Sequence, residues 1–140
     1  MPIERIGLIT CSNAAFDLDC CAAPCLHDLN KRLGGFKIYP DETTVIFAGL
    51  ISCAGCPTLA YPEKILRRIN SLTRFEVTSI HFTYCMVALC PFLNKYIEII
   101  SKTYPDIKLV KGTHVERFAH EQFRGHVKNA FEKNLTTNDI

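Results

Sequence analysis

Four runs rich in branched apolar residues recur along the chain at wide spacing: RIGLITC over 5–11, TTVIFAGLISC over 43–53, TSIHFTYC over 78–85 and DIKLVKG over 106–112. Each has the composition and length of a β-strand. The second and third show little alternation of apolar and polar residues, the pattern of strands covered on both faces and hence of a parallel sheet. The intervals between the runs carry helical rather than hairpin signals, over 25–33, 59–72 and 92–103. In the second of these, Ile65, Leu66, Ile69 and Leu72 fall on one side, opposite Glu63, Lys64, Arg67 and Arg68. In the third, Leu93, Tyr96, Ile97 and Ile100 do the same. Gly34-Gly35 offers a stop to the first helix, and Pro105 follows the third. Strand and helix in alternation imply a three-layer α/β fold of flavodoxin-like type: a mainly parallel four-stranded sheet with crossover helices on both faces.

Beyond Val115 the chain is more polar. Phe118, Phe123, Val127 and Phe131 suggest an amphipathic helix or two, broken near Gly125, and the final LTTNDI is expected to fray. The expected organisation is therefore an α/β domain over 1–114 and a helical C-terminal extension over 115–140. Of the 140 residues, 48% are hydrophobic and 21% charged, which suits a soluble globular chain able to build its own core. A net charge of +2 is too small to argue for nucleic acid. There is no apolar run of the ~18 residues that a spanning helix needs, so no membrane partner is expected. The opening MPIERIGLITC lacks the long apolar region and small-residue cleavage site of a signal peptide, so the expected compartment is the cytoplasm.

Eight cysteines stand out in such a chain: Cys11, Cys20, Cys21, Cys25, Cys53, Cys56, Cys85 and Cys90. In a reducing compartment they point to metal binding or thiol chemistry rather than to disulfides. Their placement is informative. Cys11, Cys53 and Cys85 close the first three expected strands, and His114 follows the fourth. In a parallel α/β sheet these strand ends share one edge, where ligands usually bind. The stretch SCAGCP, residues 52–57, adds Cys56 three positions after Cys53. Cys56-Pro57 and Cys90-Pro91 each stand just ahead of an expected helix. Proline suits the first helical position, which leaves each cysteine near a cap, where free N–H groups and the helix dipole favour thiolate over thiol. His81, inside a strand, fits a packing role as well as a functional one. His27, His120 and His126 fall on expected helix surfaces, and Arg67-Arg68 reads as a solvated helix face.

The ordered set IGLITC, Cys20 and Cys25, SCAGCP, His81 with Cys85 four residues on, Cys90-Pro91, and GTH ending at His114 resembles the CGGC-domain family. These are small, mostly prokaryotic proteins rich in cysteine and histidine, which have been suggested to bind zinc. The resemblance runs from about Arg5 to His114. By position it implies Cys11, Cys25, Cys53, Gly55, Cys56, His81, Cys85, Cys90 and His114 as the characteristic residues. The namesake CGGC is CAGC here, which preserves both thiols unless the backbone at Ala54 requires a positive φ. Cys21, beside Cys20, is an additional cysteine.

The expected metal-ligand candidates are thus Cys11, Cys25, Cys53, Cys56, Cys85, Cys90 and His114. Zinc, held by four Cys or His ligands, is the leading occupant, with an iron–sulfur cluster on four thiolates as the alternative. A thiol–disulfide or thiol-transfer enzyme working through Cys53 and Cys56 is the competing class. A small anionic or thiol ligand also suits helix N-termini at a sheet edge, whereas neither glycine-rich phosphate motif, GxGxxG or GxxxxGK, is present.

Overall fold

The computed structural model describes residues 2–16, 18–55, 61–133 and 136. The four apolar runs become β1 (Ile3–Thr10), β2 (Thr44–Ser52), β3 (Ser79–Phe82) and β4 (Lys108–Lys111). All neighbours pair in parallel, in the order β2-β1-β3-β4. Helices α1 (Ser12–Phe16) and α2 (Ala23–Lys31) and a 3₁₀ turn (Gly34–Ile38) connect β1 to β2. Helix α3 (Glu63–Thr73) leads to β3, α4 (Tyr84–Leu89) and α5 (Leu93–Thr103) lead to β4, and α6 (His120–Lys133) follows. This is the flavodoxin-like α/β arrangement anticipated from the strand–helix alternation.

Alternation along the strands divides the core between the two faces. Ile6 and Leu8 of β1 pack with Leu29 of α2 and with Phe36 and Tyr39. Ile9, Ile80 and Phe82 point the other way, against Ile65, Ile69 and Leu72 of α3 and Leu93, Tyr96 and Ile100 of α5. The apolar spacing of α3 and α5 is therefore used as the sequence suggested. Among the described residues no helix is long and apolar enough to cross a membrane.

Three local expectations are corrected. The run over 78–85 is not one strand: β3 stops at Phe82, opposite Lys111 at the end of β4, and Tyr84 opens α4. An uninterrupted apolar run cannot by itself distinguish a buried strand from a buried helical turn, and here pairing partners run out at Phe82. The first helix does not stop on glycine. Arg32 takes the left-handed conformation (φ 56°) and its N–H caps the helix, while Gly34 and Gly35 serve a close approach. A Cβ at either would stand 2.5 Å from a backbone oxygen, Thr113 O or Gly112 O respectively. Finally, α6 runs unbroken through Gly125, where the cost of a mid-helix glycine, ~1 kcal/mol, is outweighed by packing of Val127 and Ala130. The extension also docks on the rest of the chain: Val127 and Ala130 cover Leu18, with Leu89 and Phe123 beside them.

Candidate functional site

The strand order fixes where a ligand crevice should lie. From β1 the chain crosses to β2 on one side, and from β3 it crosses to β4 on the other. The switch point is thus between the C-terminal ends of β1 and β3, the place where open α/β sheets bind ligands. Cys11 directly follows β1, and Cys85 lies in the first turn of the helix that follows β3. Cys53 directly follows β2, and its N–H bonds Thr10 O at 2.8 Å, holding it beside Cys11.

Each thiol is seated by its own partner. Cys11 is buried, with the N–H groups of Asn13 and Ala14 at the start of α1 turned to its sulfur. Burial nevertheless dominates and, with repulsion from the Cys85 and Cys53 sulfurs, pushes its pKa up to about 11. Cys53 Sγ donates to Ser12 Oγ at 3.4 Å. Cys85 Sγ lies 3.0 Å from Thr83 Oγ1, and the Cys11 N–H also points to it. Burial raises this thiol too, with the Cys20 sulfur adding to the effect. Cys25 reaches the same edge from the opposite face, where its Sγ lies 3.1 Å from Thr113 Oγ1. Burial pushes it up to about 12 despite that hydroxyl and the His114 N–H, and the Cys85 and Cys20 sulfurs raise it further.

Cys11, Cys20, Cys25, Cys53 and Cys85 therefore share one electrostatic neighbourhood. The thiolate preference expected at Cys56 and Cys90 does not extend to Cys11, Cys25 and Cys85. For Cys11, Cys25 and Cys85, loss of hydration disfavours the thiolate more than nearby N–H and O–H groups favour it, so these groups are neutral thiols at neutral pH. The hydroxyls Ser12, Thr83 and Thr113 were not singled out in the sequence. Each can accept from a thiol and donate to a thiolate, so each orients its sulfur in either protonation state. The available signal was adjacency: Ser12 follows Cys11, Thr83 precedes Cys85 by two residues, and Thr113 lies in GTH.

Other candidates take different positions. Cys90 is the C-cap of α4 rather than the N-terminal cap of α5, which is Phe92. It nonetheless lines a recess of about 40 Å³ with Cys11, Ser12, Asn13, Cys53 and Tyr96. Such a recess holds an ion or a water rather than a nucleotide. Cys56 and Pro57 lie outside the described residues. Cys21 is exposed, and the described cysteines are all free thiols. The His114 imidazole turns to Tyr84, with ring centres 5.0 Å apart, and its Nδ1 lies 2.9 Å from Val115 O. Its main chain, rather than its ring, attends Cys25. His81 is fully buried: Nδ1–H donates to Gly112 O at 2.8 Å, and Nε2 accepts from the Tyr39 hydroxyl at 2.7 Å. It is a satisfied core group. Nor is His126 simply solvated, since its ring packs on Phe118 and its Nε2 is buried.

Among the described residues, no group of three or more His, Cys, Asp or Glu side chains is disposed, as it stands, to hold a metal ion. The described thiols are gathered but not arranged as a finished cage. A larger hollow of about 380 Å³, lined by Arg5, Phe47, Arg74 and Phe75 among others, shares no residue with the thiol recess.

The succession of cysteines and histidines around this edge is that of a known sequence profile, the CGGC domain, which matches residues 5–114. The chain belongs to the CGGC-domain family. No curated protein and no solved structure matches it. Within the CGGC frame, the alanine in CAGC is accommodated simply. Gly55 carries the positive φ, 99°, and Ala54 is not among the left-handed residues. Of Ala54 and Gly55, only the second needs to be glycine. The match ends at His114, so α6 lies outside the matched region.

Proposed function

We propose that this CGGC-domain protein binds a thiophilic metal ion, zinc, at the switch point of its sheet. Cys11, Cys53 and Cys85 are the central donors, with Cys56, Cys25, Cys90 and His114 as the candidates to complete the set. One observation carries the reading: thiols from three separate strand–helix connections meet at the ends of β1, β2 and β3, beside a recess of ion size. The donor chemistry fits the occupant, because zinc takes four Cys or His ligands and softer thiolates select it over calcium or magnesium. A bound dication supplies the positive charge that these buried sulfurs lack, and so favours loss of their protons. Because no described trio is already disposed for ligation, binding draws the thiols together, and Cys56, three residues after Cys53, is placed in the chain to join them.

A thiol–disulfide activity through Cys53 and Cys56 fits less well, since a simple dithiol leaves the gathered Cys11, Cys25 and Cys85 without a role. Anaerobic purification followed by elemental analysis, absorption spectroscopy and zinc titration tests the proposal. A colourless protein that takes up zinc stoichiometrically, with release of protons, is the expected result. A brown sample containing iron and acid-labile sulfide would transfer the site to an iron–sulfur cluster. Failure to bind either, together with a reversible Cys53–Cys56 disulfide, would overturn the metal reading in favour of redox chemistry.

A further inference from the structure

The helix beyond the family match grips the very elements that carry the thiols. We propose that α6 is a clamp on the thiol crevice, with Arg124 and Val127 as positioning residues: docked, it holds the Cys20 loop and helix α4 in place, and released, it opens both to solvent. The proposal rests on the crevice being the working site, but not on what occupies it.

Among the described residues, α6 makes three attachments, the third together with Phe118 just ahead of it. Val127 and Ala130 bury Leu18, whose exposure is 0% and which stands two residues before Cys20. That loop hangs on α1 through Leu18 N–H to Asn13 O at 3.2 Å and Cys20 N–H to Ala14 O at 2.9 Å. The covering of Leu18 thus fixes the segment between Cys11 and Cys20. At the far end of α4, Arg124 Nη1 donates to Ala88 O at 2.9 Å, two residues before Cys90. A cation there complements both the free carbonyls and the negative end of the helix dipole. At the near end, the Tyr84 hydroxyl donates to Phe118 O at 2.8 Å and its ring meets Phe123 edge-on at 4.9 Å, next to Cys85.

Helix α4 is only six residues long, too short to persist without tertiary support. Leu89 belongs to both clusters, touching the thiol-side core and the α6 contacts alike. Movement of α6 therefore reaches the thiol recess through one shared side chain. The docked state is also not fully satisfied. Among the described residues, His126 Nε2 is buried without a hydrogen-bond partner, a cost carried by the docked extension. A small apolar contact carrying such a cost belongs to the low-stability end of a structure, where local opening precedes global unfolding.

The test is pulsed alkylation with N-ethylmaleimide of the reduced, metal-free, full-length protein, read for each cysteine by mass spectrometry. Val127→Asp places a carboxylate over Leu18, and Arg124→Met keeps an apolar stem but removes the bond to Ala88. Cys25, on the buried side of α2 at the other face of the sheet, reports global unfolding. For Val127→Asp we expect labelling of Cys20, Cys85 and Cys90 to rise by about tenfold or more at an unchanged Cys25 rate, as for sub-global opening. For Arg124→Met we expect a rise of roughly threefold at Cys85 and Cys90, in line with the modest strength of a single capping charge. Wild-type labelling in a variant whose α6 has become susceptible to trypsin overturns the proposal. So does a rise of Cys25 in step with the others in both variants, which would make α6 a general stabiliser only. Because no metal is present, a failure of zinc binding leaves this result intact.

Discussion

Replacing His81 with phenylalanine tests whether this family-characteristic residue is a core strut rather than a ligand. Its ring is fully buried between Phe36 and Tyr39, and both nitrogens are engaged. Burial, with the Lys108 charge adding to it, lowers its pKa from 6.5 to about 4, against the opposing pull of the Gly112 carbonyl. Folded protein therefore keeps the imidazole neutral down to about pH 4, whereas unfolded chain takes up a proton once the pH falls below 6.5. The unfolded state binds more protons in that window. The stability His81 contributes is complete above the unfolded value and is lost progressively as the pH falls towards the folded one. The gap from 6.5 to about 4 corresponds to about 3 kcal/mol at full development, most of which is expressed by pH 4.5. In His81→Phe the ring volume is kept, but the Tyr39 hydroxyl and the Gly112 carbonyl lose their partner. We expect the variant to be less stable by about 2–4 kcal/mol near neutral pH. Near pH 4.5 that deficit should shrink by roughly 2–3 kcal/mol, because the variant has no imidazole to protonate on unfolding. Urea unfolding followed by circular dichroism at both pH values gives the double difference, in which carboxylates common to both proteins cancel. An equal deficit at the two pH values would refute the reasoning, since it would mean that the buried ring takes up its proton without penalty.

Three further outcomes follow from the site and its supports. Gly35→Ala forces a Cβ to within 2.5 Å of Gly112 O and should push the 112–114 segment away from Cys25. A loss of about 2 kcal/mol or more, with faster alkylation of Cys25, is expected in a thermal melt and labelling assay. Cys11→Ser should weaken zinc binding by at least about tenfold in competitive chelator titration, whereas Cys21→Ser, at an exposed position, should leave it unchanged. Ala54→Gly restores the family's CGGC and should change stability by less than about 1 kcal/mol, because Ala54 is not held at positive φ.

What was legible in the sequence was what depends on neighbours along the chain. Periodicity and β-branched runs gave the four strands and the α3 and α5 faces, and the strands' ends put Cys11 and Cys53 at one edge, because local patterns report which face of an element seeks a core. The rest depended on partners far away in sequence. Cys85 turned from a strand end into a helix start because β3 runs out of pairing partners at Phe82. Gly34-Gly35 proved to be a socket for Gly112 and Thr113, and Cys25 found its hydroxyl at Thr113, 88 residues on. Nothing in a local window encodes those approaches. The same holds for the charge state of the thiols. The sequence signals for thiolate concerned Cys56 and Cys90; at Cys11, Cys25 and Cys85 burial, which only the assembled sheet and helices create, favours the thiol. Local patterns alone placed Cys11 and Cys53 at one edge of a parallel sheet, whereas the strand order that makes this edge a switch point emerged only from the fold. The closed fold is what keeps Cys11, Cys25 and Cys85 protonated, seats Cys25, Cys53 and Cys85 on hydroxyls and packs a helix outside the family match against Leu18 and α4, since desolvation and long-range packing arise only once it has formed.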